Sequence, residues 1–109
     1  MRGFRAVLVT VPPLLADLIR HVLTNRAALV IVAELTEPAS AYARLRALAP
    51  DVVIIGPASG TPVDAALVRA MLPGARVLVL SADLTQLLGP GEDDIDAFTP
   101  GTLAARLSR

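Results

Sequence analysis

Short apolar, β-branched runs alternate with helix-period segments along this chain, and the third run, residues 51–55 (DVVII), is apolar at every position after its first. A strand with one face in water alternates apolar with polar residues, whereas a strand covered on both faces is apolar throughout. Residues 4–10 (FRAVLVT), 29–34 (LVIVAE) and 76–80 (RVLVL) have the same character. Together they call for a parallel sheet between two layers of helices.

The intervening segments fit that arrangement. Pro12 or Pro13 opens a first helix, whose apolar stripe is Leu14, Leu15, Leu18, Ile19, Val22 and Leu23, with Asp17, Arg20, His21 and Thr24 opposite. Thr36 or Glu37, before Pro38, starts a second helix with Ala41, Leu45 and Leu48 on one face. Residues 63–72 form a third helix, ended by Pro73-Gly74. Further on come one or two helical turns over residues 83–88, an acidic turn at 89–94, a weak fifth strand at 95–98 and a last helix at 102–108. Five β-α repeats with short connections imply a flavodoxin-like (βα)5 doubly wound parallel sheet, order 2-1-3-4-5, with a shortened fourth helix. At 109 residues the chain is expected to form one domain.

Composition narrows the functions open to such a fold. Ten arginines without a lysine balance ten acids, so no broad basic surface for nucleic acid is expected. Phe4, Tyr42 and Phe98 are the only aromatics, too few for a base-stacking platform. Cysteine is absent, which excludes disulfides, thiolate metal sites and cysteine nucleophiles. Arg2 and Arg5 precede an apolar run as in a secretory signal, but Pro12-Pro13 and Asp17 interrupt it and no clean small-residue cleavage site follows. No stretch reaches the ~18 apolar residues that span a bilayer. A cytoplasmic location away from membranes is the expectation.

In a doubly wound sheet, ligand chemistry lies beyond the carboxyl ends of the strands. The positions to inspect are residues 10–12, Gly56-Pro57, Ser81-Ala82 and Thr99-Pro100. Their surroundings are Val7-Leu8-Val9 running through Thr10-Val11 into Pro12-Pro13-Leu14-Leu15, Ala49-Pro50-Asp51-Val52-Val53-Ile54-Ile55-Gly56, and Ala75-Arg76-Val77-Leu78-Val79-Leu80-Ser81-Ala82. In these segments the chain resembles the receiver domains of bacterial response regulators, most closely those that carry a helix-turn-helix output domain. The resemblance covers nearly the whole chain. It places Gly56 where the family has its phosphoryl-accepting aspartate, and Thr10 and Val11 where it has the acid pair that binds Mg²⁺. Ser81 takes the place of the switch hydroxyl. Thr99-Pro100 stands where the family has lysine-proline, and the fourth helix is stunted.

These replacements remove the chemistry. Mg²⁺ needs carboxylate and phosphate oxygens, which Thr10 and Val11 do not supply. Gly56 has no nucleophile, and Thr99 cannot neutralise a phosphoryl group as an ammonium would. No catalysis, metal or cofactor is therefore expected. The resemblance implies a degenerate receiver acting as a protein-protein interaction or dimerisation module in signalling or transcription regulation, with DNA reached only through an output domain beyond residue 109. The expected contacts run along the first and last helices or the face of the fifth strand, with Leu84, Leu87, Leu88 and Arg106 as candidate surface residues. Two alternatives stand beside it: the N-terminal localisation domain of a pilus-assembly or septum-site ATPase, and a small-ligand sensor whose crevice is rimmed by the hydroxyls of Thr10, Ser59, Ser81 and Thr99.

Other groupings carry less. The Gly56–Gly60 loop region lacks the lysine and spacing of a P-loop, and G-P-A-S-G around Ser59 misses the nucleophile-elbow spacing. Glu92, Asp93, Asp94 and Asp96 do not follow the calcium-loop pattern. His21 reads as a surface residue, Asp51 enters its strand from the amino end, and Asp64 suits a helix N-terminus. Gly56 is also a candidate for a positive φ.

Overall fold

The computed structural model describes residues 4–26, 29–57, 63–81, 86–88 and 95–97, with Thr99 and Thr102. Its elements follow in the order β1 (Phe4–Val9), α1 (Pro13–Arg26), β2 (Leu29–Leu35), α2 (Pro38–Leu48), β3 (Val52–Ile55), α3 (Ala65–Met71), β4 (Arg76–Leu80), β5 (Gln86–Leu88) and β6 (Ile95–Ala97). The strands form one sheet in the order β2-β1-β3-β4-β5-β6. This is the flavodoxin-like α/β arrangement expected from the sequence, mostly parallel.

Its far side departs from that expectation. The pairings β1–β2, β1–β3 and β3–β4 are parallel, but β4–β5 and β5–β6 are antiparallel. Of residues 83–88, expected to make helical turns, Gln86–Leu88 is instead a strand between β4 and the expected fifth strand. Leu87 pairs with Leu80 and is fully buried, so it belongs to the core and to no contact surface. Leu88 is half-buried on the opposite face. Leu84, Arg106, Ser59, Pro100, the acidic turn and all of the last helix except Thr102 lie outside the described residues.

Two apolar layers flank the sheet. On one face Ala6, Leu8, Val52, Ile54, Leu78, Leu80 and Leu87 pack with Ala16 and Ile19 of α1. On the other, Val7, Val9, Val53, Ile55 and Val77 pack with Ala41 and Leu45 of α2 and Val68 of α3. All four residues of β3 are buried, the outcome its unbroken apolar run requires. Among the described side chains of α1, Leu15, Ala16 and Ile19 face the sheet, whereas Leu14 and Leu18 of the expected stripe are exposed, Leu14 to 86%. Arg20 of α1 reaches across to pair with Glu34 of β2, and also lies 3.5 Å from Asp17.

Between Ala6 and Val7 the pairing of β1 with β2 shifts register: Ala6 sits beside Ile31 and Val7 beside Ala33. Val32 is the extra residue of this bulge. The shift lets Ile31 join the α1 layer while Ala33 and Leu35 join the layer under α2.

Local signals fix the helix ends. Pro38 sits in the first turn of α2, where its missing N–H leaves no bond unmade. α2 ends at Ala49, which adopts a left-handed conformation (φ 46°, ψ 58°) and donates its N–H to the Leu45 carbonyl at 3.0 Å. That conformation costs an L-residue ~1–2 kcal/mol, against ~0.5–1 kcal/mol for the greater chain freedom of glycine. Ala49→Gly is accordingly expected to raise the unfolding free energy by about 0.5–1 kcal/mol. A urea midpoint equal to or below that of the unmodified protein would contradict the assigned cap.

α3 begins at Ala65, two residues later than expected, because Asp64 caps it. The Asp64 carboxylate accepts the N–H groups of Ala66 (2.9 Å) and Leu67 (3.4 Å), while its own N–H donates to the Tyr42 hydroxyl at 2.9 Å. The acid thus serves the helix N-terminus that the sequence suggested.

Candidate functional site

The strand order 2-1-3 puts the topological switch point between β1 and β3, where the chain leaves in opposite directions at the carboxyl edge. Thr10, Val11 and Gly56 meet there. β1 ends one residue earlier than expected, because Thr10 leaves the strand with φ 51°, in the left-handed region. Its N–H donates to the Leu35 carbonyl at 2.7 Å, and its hydroxyl donates to the Gly56 carbonyl at 2.7 Å. The Gly56 N–H in turn donates to the Val9 carbonyl at 2.8 Å, carrying the β1–β3 contact one residue past the strands.

Gly56 is buried, and its backbone lies against the turn that follows β1. A Cβ at this position would lie 2.7 Å from the Thr10 carbonyl oxygen and 2.9 Å from the Val11 Cα. Both are backbone atoms, so no side chain can swing away to make room. The φ of Gly56 lies outside the left-handed region. The expectation of a left-handed glycine is thereby corrected, since close approach of the backbone is what excludes a side chain here.

At the other two strand ends the described residues make local hydrogen bonds of their own. Ser81 follows β4; its N–H donates to the Gln86 carbonyl and its hydroxyl accepts the Gln86 N–H, both at 3.0 Å. The hydroxyl therefore takes the place of a backbone carbonyl in closing the β4–β5 pair. Thr99 lies past β6, which runs parallel to β4 with β5 between them. At ~4.8 Å per strand, this sets the end of β6 about 10 Å from that of β4, twice the spacing of direct neighbours. The Thr99 hydroxyl accepts the Thr102 N–H at 3.1 Å, and the Thr102 hydroxyl accepts the Thr99 N–H at 3.0 Å. This is the reciprocal arrangement of a capping box, with threonine in place of glutamate. The Thr102 hydroxyl also donates to the Ala97 carbonyl.

Of the four hydroxyls expected to rim one crevice, that of Ser59 lies outside the described residues, and those of Thr10, Ser81 and Thr99 each make a hydrogen bond within the chain. Thr10 is spent on Gly56 and Ser81 on the hairpin, and Thr99 is capped two strands away. The role of Thr10 as a bridge from β1 to both β2 and β3 was missed in the sequence. The signal was there, in a threonine at one strand end and a glycine at the next, but it is readable only once those ends are known to touch.

Among the described residues no polar or charged side chain is buried, and no group of three His, Asp or Glu residues is placed to hold a metal ion. Asp51 works at the opposite edge, where its carboxylate accepts the Arg5 N–H at 2.9 Å. His21 is exposed on α1. A separate concavity of about 290 Å³ opens beside the carboxyl end of β2, lined by Glu34, Leu35, Thr36, Glu37, Ser40 and Arg44. It is small for a ligand site, which is usually enclosed and largely apolar, and it lies off the switch point. No helix among the described residues is long and apolar enough to cross a membrane.

No protein-family model matches the chain, and no curated protein matches it in sequence. A structural likeness does exist, to the crystal structure of a LuxR-family two-component response regulator from Aurantimonas sp. SI85-9A1. The TM-score is 0.59 at 24% sequence identity, covering 72% of this chain and 59% of that one. This chain therefore matches little more than half the length of that protein. At such identity the likeness establishes architecture: the chain shares its α/β fold with a two-component response regulator.

Proposed function

We propose that this chain is a receiver-like domain that works without phosphorylation, as an interaction module in a bacterial regulatory protein. The observation that carries the reading is Gly56, packed against the backbone of Thr10 and Val11 at the point where a phosphoryl-accepting aspartate stands in the family it resembles. The fold shared with a LuxR-family response regulator supports the regulatory setting. The exposed Leu14 and Leu18 on α1 support a protein contact along that helix, with a second copy of the chain as the leading partner. DNA enters only through an output domain outside this sequence. The hydroxyls of Thr10 and Ser81 each take part in an internal hydrogen bond, which weighs toward the leading reading over the small-ligand alternative. Nothing in the geometry favours the localisation-domain alternative over the leading one.

Titration with beryllofluoride and Mg²⁺, a phosphoryl mimic, tests the reading by amide NMR and by sedimentation on the same samples. No amide shift near Gly56, Ser81 or Thr99 and an unchanged sedimentation coefficient are expected. Stoichiometric shifts confined to those residues would overturn it.

A further inference from the structure

Thr10 and Ala49 are the non-glycine residues with positive φ among those described. The two cases differ. Ala49 ends a helix, where a left-handed residue is common. Thr10 carries a branched Cβ, which crowds the neighbouring carbonyl in this region, and so it is the rarer and more strained of the two. Such a conformation persists only where its surroundings over-determine it.

Thr10 has those surroundings. Its N–H is held by Leu35 at the end of β2, its hydroxyl holds the Gly56 carbonyl beyond β3, and the Gly56 N–H is held by Val9. An independent observation points to the same place: the two backbones approach so closely at Gly56 that a Cβ would meet the Thr10 oxygen at 2.7 Å. One residue is strained and pinned, the other is stripped of its side chain, and between them lies the switch point where a ligand would enter such a fold.

We infer that Thr10 and Gly56 form a clasp that shuts the crevice between β1 and β3 and holds the segments leaving them in one arrangement. The inference rests on the phosphorylation-independent reading and gives it a physical mechanism. Residues 10–12 lead into α1 on one face of the sheet, and Gly56-Pro57 leaves β3 toward α3 on the other. Pinning both at one point sets the start of each path by internal hydrogen bonds. A ligand-operated receiver moves between two states, whereas the clasped domain offers a single surface to its partner. Loosening the clasp releases both paths together.

Amide hydrogen exchange on the full 109-residue chain tests this without any ligand. In the unmodified protein the Thr10 and Gly56 amides are expected to be protected to a degree comparable with core amides such as those of Val77 and Leu78. Thr10→Val keeps the branched shape and removes the hydroxyl. It is expected to lower protection at Gly56 and its neighbours by about five- to tenfold, the value of one hydrogen bond, and to leave β4 less affected. Gly56→Ala, which forces the backbones apart, is expected to cost roughly 10–100-fold at Thr10 and Gly56. If that variant does not fold, Thr10→Val decides alone.

Free exchange of the Thr10 and Gly56 amides in the unmodified protein would overturn the clasp. So would unchanged protection in Thr10→Val, or a loss shared equally by every core amide. Failure of the phosphorylation-independent reading appears separately, as beryllofluoride-dependent shifts in a protein whose ligand-free exchange still shows the clasp.

Discussion

Gly56→Asp is expected to destabilise the protein by ~3 kcal/mol or more and to leave it unphosphorylated. The steric part comes first: the new Cβ would sit 2.7 Å from the Thr10 carbonyl oxygen and 2.9 Å from the Val11 Cα, so the turn after β1 must move. Overpacking of this kind costs ~1–3 kcal/mol. The electrostatic part adds to it, because position 56 is buried and the oxygen that the new side chain meets first is the Thr10 carbonyl. A carboxylate there gives up its hydration and faces a carbonyl dipole of like sign.

Against a total stability of ~5–15 kcal/mol, the loss is large enough to unfold a marginal domain. Gly56→Ala separates the two parts, since it carries the steric cost alone. Urea titration of both variants gives the stabilities. Mass spectrometry after acetyl phosphate with Mg²⁺ reports the chemistry. A Gly56→Asp protein as stable as the original, or one bearing a hydroxylamine-labile phosphoryl group, would contradict this account of the site.

The second large effect is expected at Leu87. Its side chain is fully buried with Leu78 and Leu80, so Leu87→Ala should cost ~2–5 kcal/mol. Gln86 is exposed, and Gln86→Ala should change stability by no more than about 0.5 kcal/mol. Leu88 decides between the two structures open to this segment. In a strand, residues 87 and 88 point to opposite faces, and Leu88, half-buried, should lose clearly less on truncation than Leu87. In a helix, Leu84, Leu87 and Leu88 would share one face, and truncation at 87 and 88 would cost about the same. Urea midpoints of the three single variants distinguish these outcomes. Equal losses at 87 and 88 would argue against β5.

That contrast also shows which parts of the fold could be read from the chain. The strands from Phe4 to Leu80 announce themselves because each is a largely apolar run, although the edge strand β2 leaves Val30 and Val32 exposed, and proline or an acid marks the helices between them. β5 gave no such signal. It has three residues, leucine favours helices as readily as strands, and its structure comes from pairing with Leu80 and Val79 rather than from local preference.

The site divides in the same way. The sequence placed Thr10, Val11 and Gly56 at neighbouring strand ends, and the structure brings them into contact. It placed Ser81 and Thr99 beside them only on the assumption that the strand after Ser81 was the one ending at Thr99. β5 takes that place, so Ser81 and Thr99 each acquire a local hydrogen-bonding duty instead. The left-handed Thr10 could not be foreseen, because no local propensity favours a β-branched residue there.

The bulge at Val32 bears on the open edge of the sheet. β2 is the outermost strand on its side, seven residues long, with Val30 and Val32 exposed. A flat strand of that kind is a template on which further copies can polymerise edge to edge. One surplus residue midway breaks the regular ladder and twists the strand, so an incoming chain meets a rim whose hydrogen-bonding groups fall out of step. Growth by strand addition is thereby discouraged along this side of the sheet.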